Sequence, residues 1–301
     1  MANSSPLQPQ GLGGEIGRRA GLKIPFREEC RFDSDPRHQR DRQPLPVGPA
    51  KVSTRFILLL TATLRPPPGV SARADPAVRL EDYRIALRFY LAMLGGGELA
   101  RLVFVDNSDS DLGTLQAEAE AVGLAACCEF ISFSGLDYPT EYGYGYGEFR
   151  LLDHAMTHSR LIRALPDAVV VKVTGRYVVR NLAALLRRLP PRFDVACDVR
   201  NRRKPWADTR VMAWTAGGYE RVLRGVCAHL RRDLTRLPPE MRMAQHLHDS
   251  GGSFSIVQRL ALEPFVHGIR GSDGKNWTGG LFRAKHYARA VLRKLIYWYP
   301  I

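Results

Sequence analysis

Several things are scarce in this chain of 301 residues, and each scarcity removes a class of protein. There are five cysteines, Cys30, Cys127, Cys128, Cys197 and Cys227, an odd number with no CxxC spacing. That excludes a disulfide framework and a zinc site of paired thiols, and it fits reduced thiols in a cytosolic setting. Long apolar runs are also missing. The N-terminus has no stretch of signal-peptide type, and the run Phe56–Leu60 is far too short to span a bilayer. The expectation is a cytoplasmic protein, soluble or peripheral on the inner face of the plasma membrane. Negative charge is in deficit, with 30 Asp and Glu against 44 Lys and Arg and a net charge of +14. Such an excess points to phosphate-bearing partners, nucleic acid or an anionic membrane. Its distribution narrows the choice. Residues 1–55 hold 10 basic and 6 acidic residues, and 281–301 hold 5 basic and none acidic, which leaves a surplus of only 5 for 56–280. A globally basic nucleic-acid binder is therefore not expected.

What is present is a core: 45% of residues are hydrophobic, enough for one large domain. Residues 1–50 carry Pro, Gly and Ser with scattered charge and no sustained apolar period, and read as a flexible, disordered tail. From Lys51 the pattern changes. Arg55–Thr63 is a continuous apolar run of the kind a buried parallel strand shows, and Leu80–Leu94 has helical spacing closed by Gly95-Gly96-Gly97. Strands follow over 102–105, 129–133 and 168–173, with helices over 112–122 and 148–165 between them; Phe193–Cys197 and Val211–Trp214 are further strands. Regular alternation implies right-handed crossovers and an α/β, mostly parallel sheet flanked by helices.

In such sheets ligands lie beyond the carboxyl ends of the strands. The candidate residues there are Thr61 and Thr63 after the first strand, and Asp106, Asn107 and Ser108 after the second. The loop Tyr142–Glu148 and Thr174, Gly175, Arg176 and Tyr177 after the fourth complete the set. Asp106 has the chemistry to accept from a base or ribose hydroxyl, and Ser108 to cap the next helix; the alternative is that Asp106–Asp111 only counters a helix dipole. Gly145 and Gly147 allow close backbone approach, and a helix opening at Glu148 would offer free N–H groups to an anion, the alternative being a plain Gly-rich turn. Lys172 and Arg176 supply two cations at a strand end, or else a snorkelling lysine and a structural ion pair.

Val103-Phe-Val-Asp106-Asn-Ser108, Tyr144-Gly-Tyr-Gly147-Glu148, Val171-Lys-Val-Thr-Gly-Arg-Tyr177 and Asp208-Thr-Arg210, in that order after Thr61-Ala-Thr63, resemble bacterial GT-A-type glycosyltransferases that build capsule and lipopolysaccharide glycans. The resemblance covers about 55–275. It implies a GT-A-like (Rossmann-related) catalytic domain over 51–280, a nucleotide-sugar donor and a glycan or lipid-linked acceptor. By the same resemblance Lys172 and Arg176 lie where the donor diphosphate sits and many relatives carry a metal-binding Asp pair. No acidic residue falls between Asp167 and Asp194, so a Mg or Mn cofactor and metal-independent catalysis both stay open. Glu240, in Pro238-Pro-Glu240 at a helix entrance, resembles the base that deprotonates an acceptor hydroxyl; an acidic residue favoured by the helix dipole is the alternative. Asp208 is a candidate for a sugar hydroxyl or a metal, or for a solvated pair with Arg210 on the acceptor side. His267, before Gly271–Lys275, falls in a loop where relatives close over the donor.

Residues 281–301 form a basic amphipathic helix, with Leu281, Ala284, Ala288, Val291, Leu292 and Leu295 on one stripe, Lys285, Arg289 and Arg293 on another, and Tyr297-Trp298-Tyr299 at its end. It suits an anionic membrane surface, or docking on its own domain. Two further readings remain: another nucleotide-using α/β transferase, nucleotidyl- or methyl-, and a non-enzymatic nucleic-acid-binding protein. The glycine loop precedes the fourth strand rather than following the first, which speaks against a dinucleotide or methyl-donor fingerprint.

Overall fold

The computed structural model describes residues 55–200, 203–271, 273–277 and 280–295. The expected tail over 1–50 and the aromatic end Tyr297-Trp298-Tyr299 lie outside them. The first strand, β1 (Phe56–Ala62), is buried at all seven positions. Its alternating side chains explain why it reads as one apolar run. Phe56, Leu58, Leu60 and Ala62 enter one core layer, and Ile57 and Leu59 enter the other. Each such leucine or isoleucine contributes about 1.5–3 kcal/mol on burial.

Around β1 the chain adds α1 (Pro76–Gly95), β2 (Arg101–Asp106), α2 (Gly113–Ala121), β3 (Cys128–Ser132), α3 (Gly143–His158), α4 (Arg160–Arg163) and β4 (Val169–Thr174). Then come β5 (Val178–Val179), α5 (Leu182–Leu186), β6 (Val195–Arg200), β7 (Trp206–Trp214), α6 (Ala216–Gly218), α7 (Pro239–Ser250), β8 (Ile256–Val257), β9 (Val266–His267) and α8 (Gly280–Leu295). Seven strands form one sheet in the order β3-β2-β1-β4-β7-β6-β8, and β5 pairs with β9 in a separate ribbon. All neighbours along β3-β2-β1-β4 are parallel; β7 alone runs antiparallel, against both β4 and β6. The short β6–β7 connection forces that reversal, since a parallel crossover needs a dozen or more residues. The sheet is therefore mostly parallel and covered by helices on both faces, the α/β class that the sequence pattern implies.

One layer carries Tyr83, Leu87 and Tyr90 of α1, Leu115 of α2 and Leu182 and Leu185 of α5. The other carries Phe149 and Leu152 of α3, Tyr219, Val222 and Leu223, and Met243 and Leu247 of α7. Two elements start earlier than the apolar pattern suggested. α1 begins at Pro76, because Asp75 caps it by accepting from the Ala77 and Val78 amides at 2.8 and 3.2 Å. α3 begins at Gly143 rather than Glu148, so the glycine-rich stretch is the first turn of a helix.

Its glycines are there for packing. A Cβ on Gly145 would stand 2.3 Å from Pro239 Cβ, and one on Gly147 1.9 Å from the Tyr138 hydroxyl. Gly218 is confined by backbone instead, with its Cβ position 2.1 Å from the Asp194 carbonyl oxygen. Gly218→Ala is expected to cost at least about 1–3 kcal/mol through forced backbone shift. A urea midpoint equal to wild type would refute this.

Candidate active site

The strand order places a topological switch point between β1 and β4, where the chain goes outward to β2 and β3 and then returns to the other side. A cleft of about 600 Å³ opens there, beyond the carboxyl ends of these strands. Of the residues singled out by sequence, Thr61, Thr63, Asn107, Gly147, Glu148, Thr174, Arg176, Tyr177, Asp208, Arg210 and Glu240 line it. β1 and β4 bring Thr61 and Thr174 side by side, and the Gly175 amide donates to the Thr61 carbonyl at 2.8 Å. A Cβ on Gly175 would stand 2.8 Å from that oxygen, so Gly175 serves the junction and is itself enclosed.

Five other expectations are corrected by the geometry. Asp106 is fully buried, and its carboxylate accepts from the amides of Leu64 (2.7 Å), Ser108 (2.9 Å) and Ser110 (3.3 Å) and from the Ser108 hydroxyl. It ties the end of β1 to the end of β2 and does not face the cleft. Ser108 belongs to the same knot, accepting from the Arg65 amide at 2.9 Å, and does not cap α2; Asp111 accepts from the Gly113 amide instead, at 2.8 Å. Asp106→Ala would leave buried donors unpaired at about 1–3 kcal/mol each. The expected signature is a lowered melting midpoint, and an unchanged midpoint would contradict the knot.

Lys172 is also enclosed. Its ammonium is paired with Glu148 and donates to the Thr174 hydroxyl at 3.0 Å and to the Thr209 carbonyl at 2.5 Å. It reaches the cleft only through its partners Glu148, Thr174 and Thr209, which line it. Gly145 sits in the α3–α7 contact, and His267 pairs with Val178 in the β5–β9 ribbon and lines a separate recess with Arg180 and Phe265.

The cleft has a basic end. Arg79 of α1 donates to the carbonyls of Thr63 (2.7 Å) and Arg73 (3.0 Å) and to the Tyr83 hydroxyl (3.2 Å). Arg176 lies over the Tyr177 ring with 4.8 Å to the centroid, and donates to the Tyr177 hydroxyl at 3.1 Å. Its Nε is buried with no acceptor among the described residues. Neither guanidinium has a carboxylate partner there; hydroxyls, carbonyls and rings surround both. Gly271 closes this end, its carbonyl accepting from the Ser71 hydroxyl at 2.7 Å.

The cleft carboxylates differ in environment. Burial alone would raise the Asp208 pKa, but Arg210 and Arg200 hold it well below the usual carboxylate range. Arg210 clasps it with two bonds of 2.6 Å, so Asp208 is a fixed anion and a poor base. Glu240, in the first turn of α7, is pushed the other way. Burial raises its pKa, with the Glu148 and Asp208 charges adding to the effect, while a hydrogen bond from the Tyr144 hydroxyl opposes it. That hydroxyl lies 3.0 Å from both carboxylate oxygens. A carboxylate whose pKa is raised by burial is better suited to take a proton than an ordinary one.

A divalent ion does not fit this donor set. Glu148 is committed to Lys172, Asp208 to two arginines and Glu240 to Tyr144. Among the described residues no three His, Cys, Asp or Glu side chains are grouped to hold a metal.

Several lining residues gave no motif: Arg79, Tyr138, Arg200, Arg270, Trp277 and His286; Arg289 stood only in the basic stripe of 281–301. In the loop after His267, Arg270 and Trp277 line the cleft. α8 is turned opposite to a simple membrane helix. Arg293 is buried, donating to Asp198 at 2.8 Å, Glu263 at 3.0 Å and the Leu260 carbonyl at 2.7 Å. His286 and Arg289 face the cleft, and Tyr287, Val291 and Leu292 are exposed. No helix among the described residues is long and apolar enough to cross a membrane.

Fold and cleft together define an α/β protein with a mostly parallel seven-stranded sheet and a ligand-sized cavity at its switch point. No protein-family model matches the chain, and no curated protein matches it. Among solved structures it is similar to the galactosyltransferase LgtC in complex with donor and acceptor sugar analogs, at 9% identity and a TM-score of 0.42, over 67% of this chain and 72% of that one. It is similar also to a glucose-1-phosphate thymidylyltransferase from Bacillus anthracis, at 8% identity and a TM-score of 0.37, over 78% and 94%. The inositol-1-phosphate CTP transferase of T. maritima matches at 12% identity and a TM-score of 0.34, over 68% and 84%.

Proposed function

We propose that this protein is a glycosyltransferase that moves a sugar from a nucleotide-sugar donor to a glycan or lipid-linked acceptor. The observation that carries the reading is the pair Arg79 and Arg176, two guanidiniums without carboxylate partners among the described residues at the β1–β4 switch point, in the same cleft as the carboxylate Glu240. Thr61, Thr63 and Asn107 line the part of the cleft where the nucleoside lies, and the diphosphate faces Arg176 and Arg79. Guanidinium is matched to phosphate in shape and charge. Glu240 takes the proton of the acceptor hydroxyl. The acceptor oxygen bonds to the anomeric carbon as the bond to the diphosphate oxygen breaks, and the departing electron pair stays on the diphosphate. Tyr144 holds Glu240 in place.

The finer parts of this reading are cell-surface polysaccharide as the product, of the capsule or lipopolysaccharide kind, and work at the cytoplasmic face of a membrane. The support for membrane contact is the exposed Tyr287, Val291 and Leu292 on a segment, 281–301, that holds five basic residues and no acidic one. The test is product analysis with the full chain and a panel of nucleotide sugars. Release of nucleoside diphosphate with transfer to an acceptor or to water supports the reading. Release of pyrophosphate from a nucleoside triphosphate would replace it with nucleotidyl transfer.

A further inference from the structure

The cleft has a second basic wall that the donor does not use. It begins at a bulge in β6, where the ladder with β7 shifts between Cys197 and Val199 and turns the buried Asp198 carboxylate out of the strand pattern. Asp198, Asp208 and Glu263 then face four arginines, Arg200, Arg210, Arg289 and Arg293. Arg293 is buried against Asp198 and Glu263 and docks α8. Arg200 reaches all three carboxylates, at 3.1, 2.5 and 3.2 Å. Arg210 is spent on Asp208, but its Nη1 has no acceptor among the described residues.

Arg289 is left over. Its one carboxylate contact among the described residues is Glu263 at 3.7 Å, and Glu263 already serves Arg293, Arg200 and His286. Burial and the neighbouring Arg200 hold the Arg289 guanidinium below its usual pKa. A cation kept among like charges is relieved by an anion. Helix docking does not account for it, since Arg293 does that from a buried position, whereas Arg289, His286, Arg200 and Arg210 all line the cleft.

We propose that this wall binds a phosphoryl group carried by the acceptor, with Arg289 as the main contact and Arg210 and His286 beside it. The cleft then holds two anions, the donor diphosphate at Arg79 and Arg176 and the acceptor phosphate at α8. This rests on the glycosyl-transfer reading for the word acceptor, though the site itself does not. The shared chemistry is a phosphate ester, borne by a sugar or by a lipid.

The test is calorimetric titration of the full chain with inorganic pyrophosphate, which is expected to fill two sites per chain. Arg289→Gln should weaken one site at least tenfold and spare the other, with Arg176→Gln doing the reverse. Because Arg289 is partly exposed, an unchanged melting midpoint checks that the fold is intact, and Arg289→Lys should lose less affinity than Arg289→Gln. Glucose 6-phosphate and dodecyl phosphate, added with UDP saturating, then separate a sugar from a lipid source, and tighter binding of either supports the proposal. One site weakened by both glutamine variants, a second site indifferent to Arg289→Gln, or no binding of either phosphate ester would overturn it. If pyrophosphate fills two sites while no nucleoside diphosphate binds, the transfer reading fails and the second site stands.

Discussion

Replacing Arg176 by glutamine is expected to weaken nucleotide-sugar binding by about 10- to 150-fold while leaving the fold intact. The size follows from charge-assisted hydrogen bonds, worth about 1.5–3 kcal/mol, with tenfold per about 1.4 kcal/mol. The direction of the stability effect separates this residue from its neighbours. Among the described residues Arg176 has no carboxylate partner to be stranded, so its removal leaves no buried anion behind there. Arg210→Gln, by contrast, takes one of two arginines from the buried Asp208 and should lower the melting midpoint. Calorimetry and thermal melts on the two variants decide the matter. Equal donor affinity in wild type and Arg176→Gln would remove this arginine from the donor site.

Glu240→Gln is expected to lower the turnover number by about 10²–10⁴-fold, the range for loss of a positioned general base, with donor affinity little changed. The pH dependence carries the sign. A base acts only when deprotonated, so turnover should fall as the pH drops through the Glu240 pKa, and burial places that fall above the ordinary carboxylate range. Stability runs the other way. A carboxyl whose pKa is raised by folding is accommodated best when protonated, and its ionisation costs stability as pH rises through the folded value. Glutamine removes that cost. The melting midpoint of Glu240→Gln relative to wild type should therefore climb as the pH rises past the ordinary glutamate pKa, over the same span in which wild-type turnover rises. A variant that turns over normally would assign the proton to another group.

Much of this arrangement was legible in the sequence, and the gaps have physical causes. β1, β2 and β4 were readable because strands buried on both faces must be apolar at nearly every position. The start of α3 was not, because glycine and tyrosine are weak helix formers; Gly145 and Gly147 are required there by Pro239 and Tyr138, which lie elsewhere in the chain. The Asp75-Pro76 start of α1 did carry a signal, a cap residue followed by proline at the first helical position.

The site divides along the same line. Strand-end residues such as Thr61, Thr174 and Arg176 follow from topology once the strands are known. Whether a charge faces the cleft or a partner does not. Lys172 and Arg176 are four residues apart on one strand and its exit, yet Lys172 is neutralised by Glu148 from α3 while Arg176, among the described residues, has no carboxylate partner and lies against the Tyr177 hydroxyl and ring. Asp106 has the position of a nucleoside ligand and is consumed by the amides of its own loop and of Leu64. The basic stripe of α8 was visible, but its direction depends on Asp198 and Glu263, whose burial no local pattern announces.

The most direct measurement is a thermal-shift screen of the full chain against nucleotide sugars, in chelator and in Mn²⁺. Ligand at a hundred times its dissociation constant stabilises the native state by about 2.7 kcal/mol, and a domain of this size gains about 2–4 °C per kcal/mol. At least one nucleotide sugar should raise the midpoint by about 5 °C or more in chelator as well as in Mn²⁺, and Arg176→Gln should abolish most of that shift. No shift with any nucleotide sugar, or a shift that needs Mn²⁺ and survives in Arg176→Gln, would contradict an arginine-held nucleotide-sugar site.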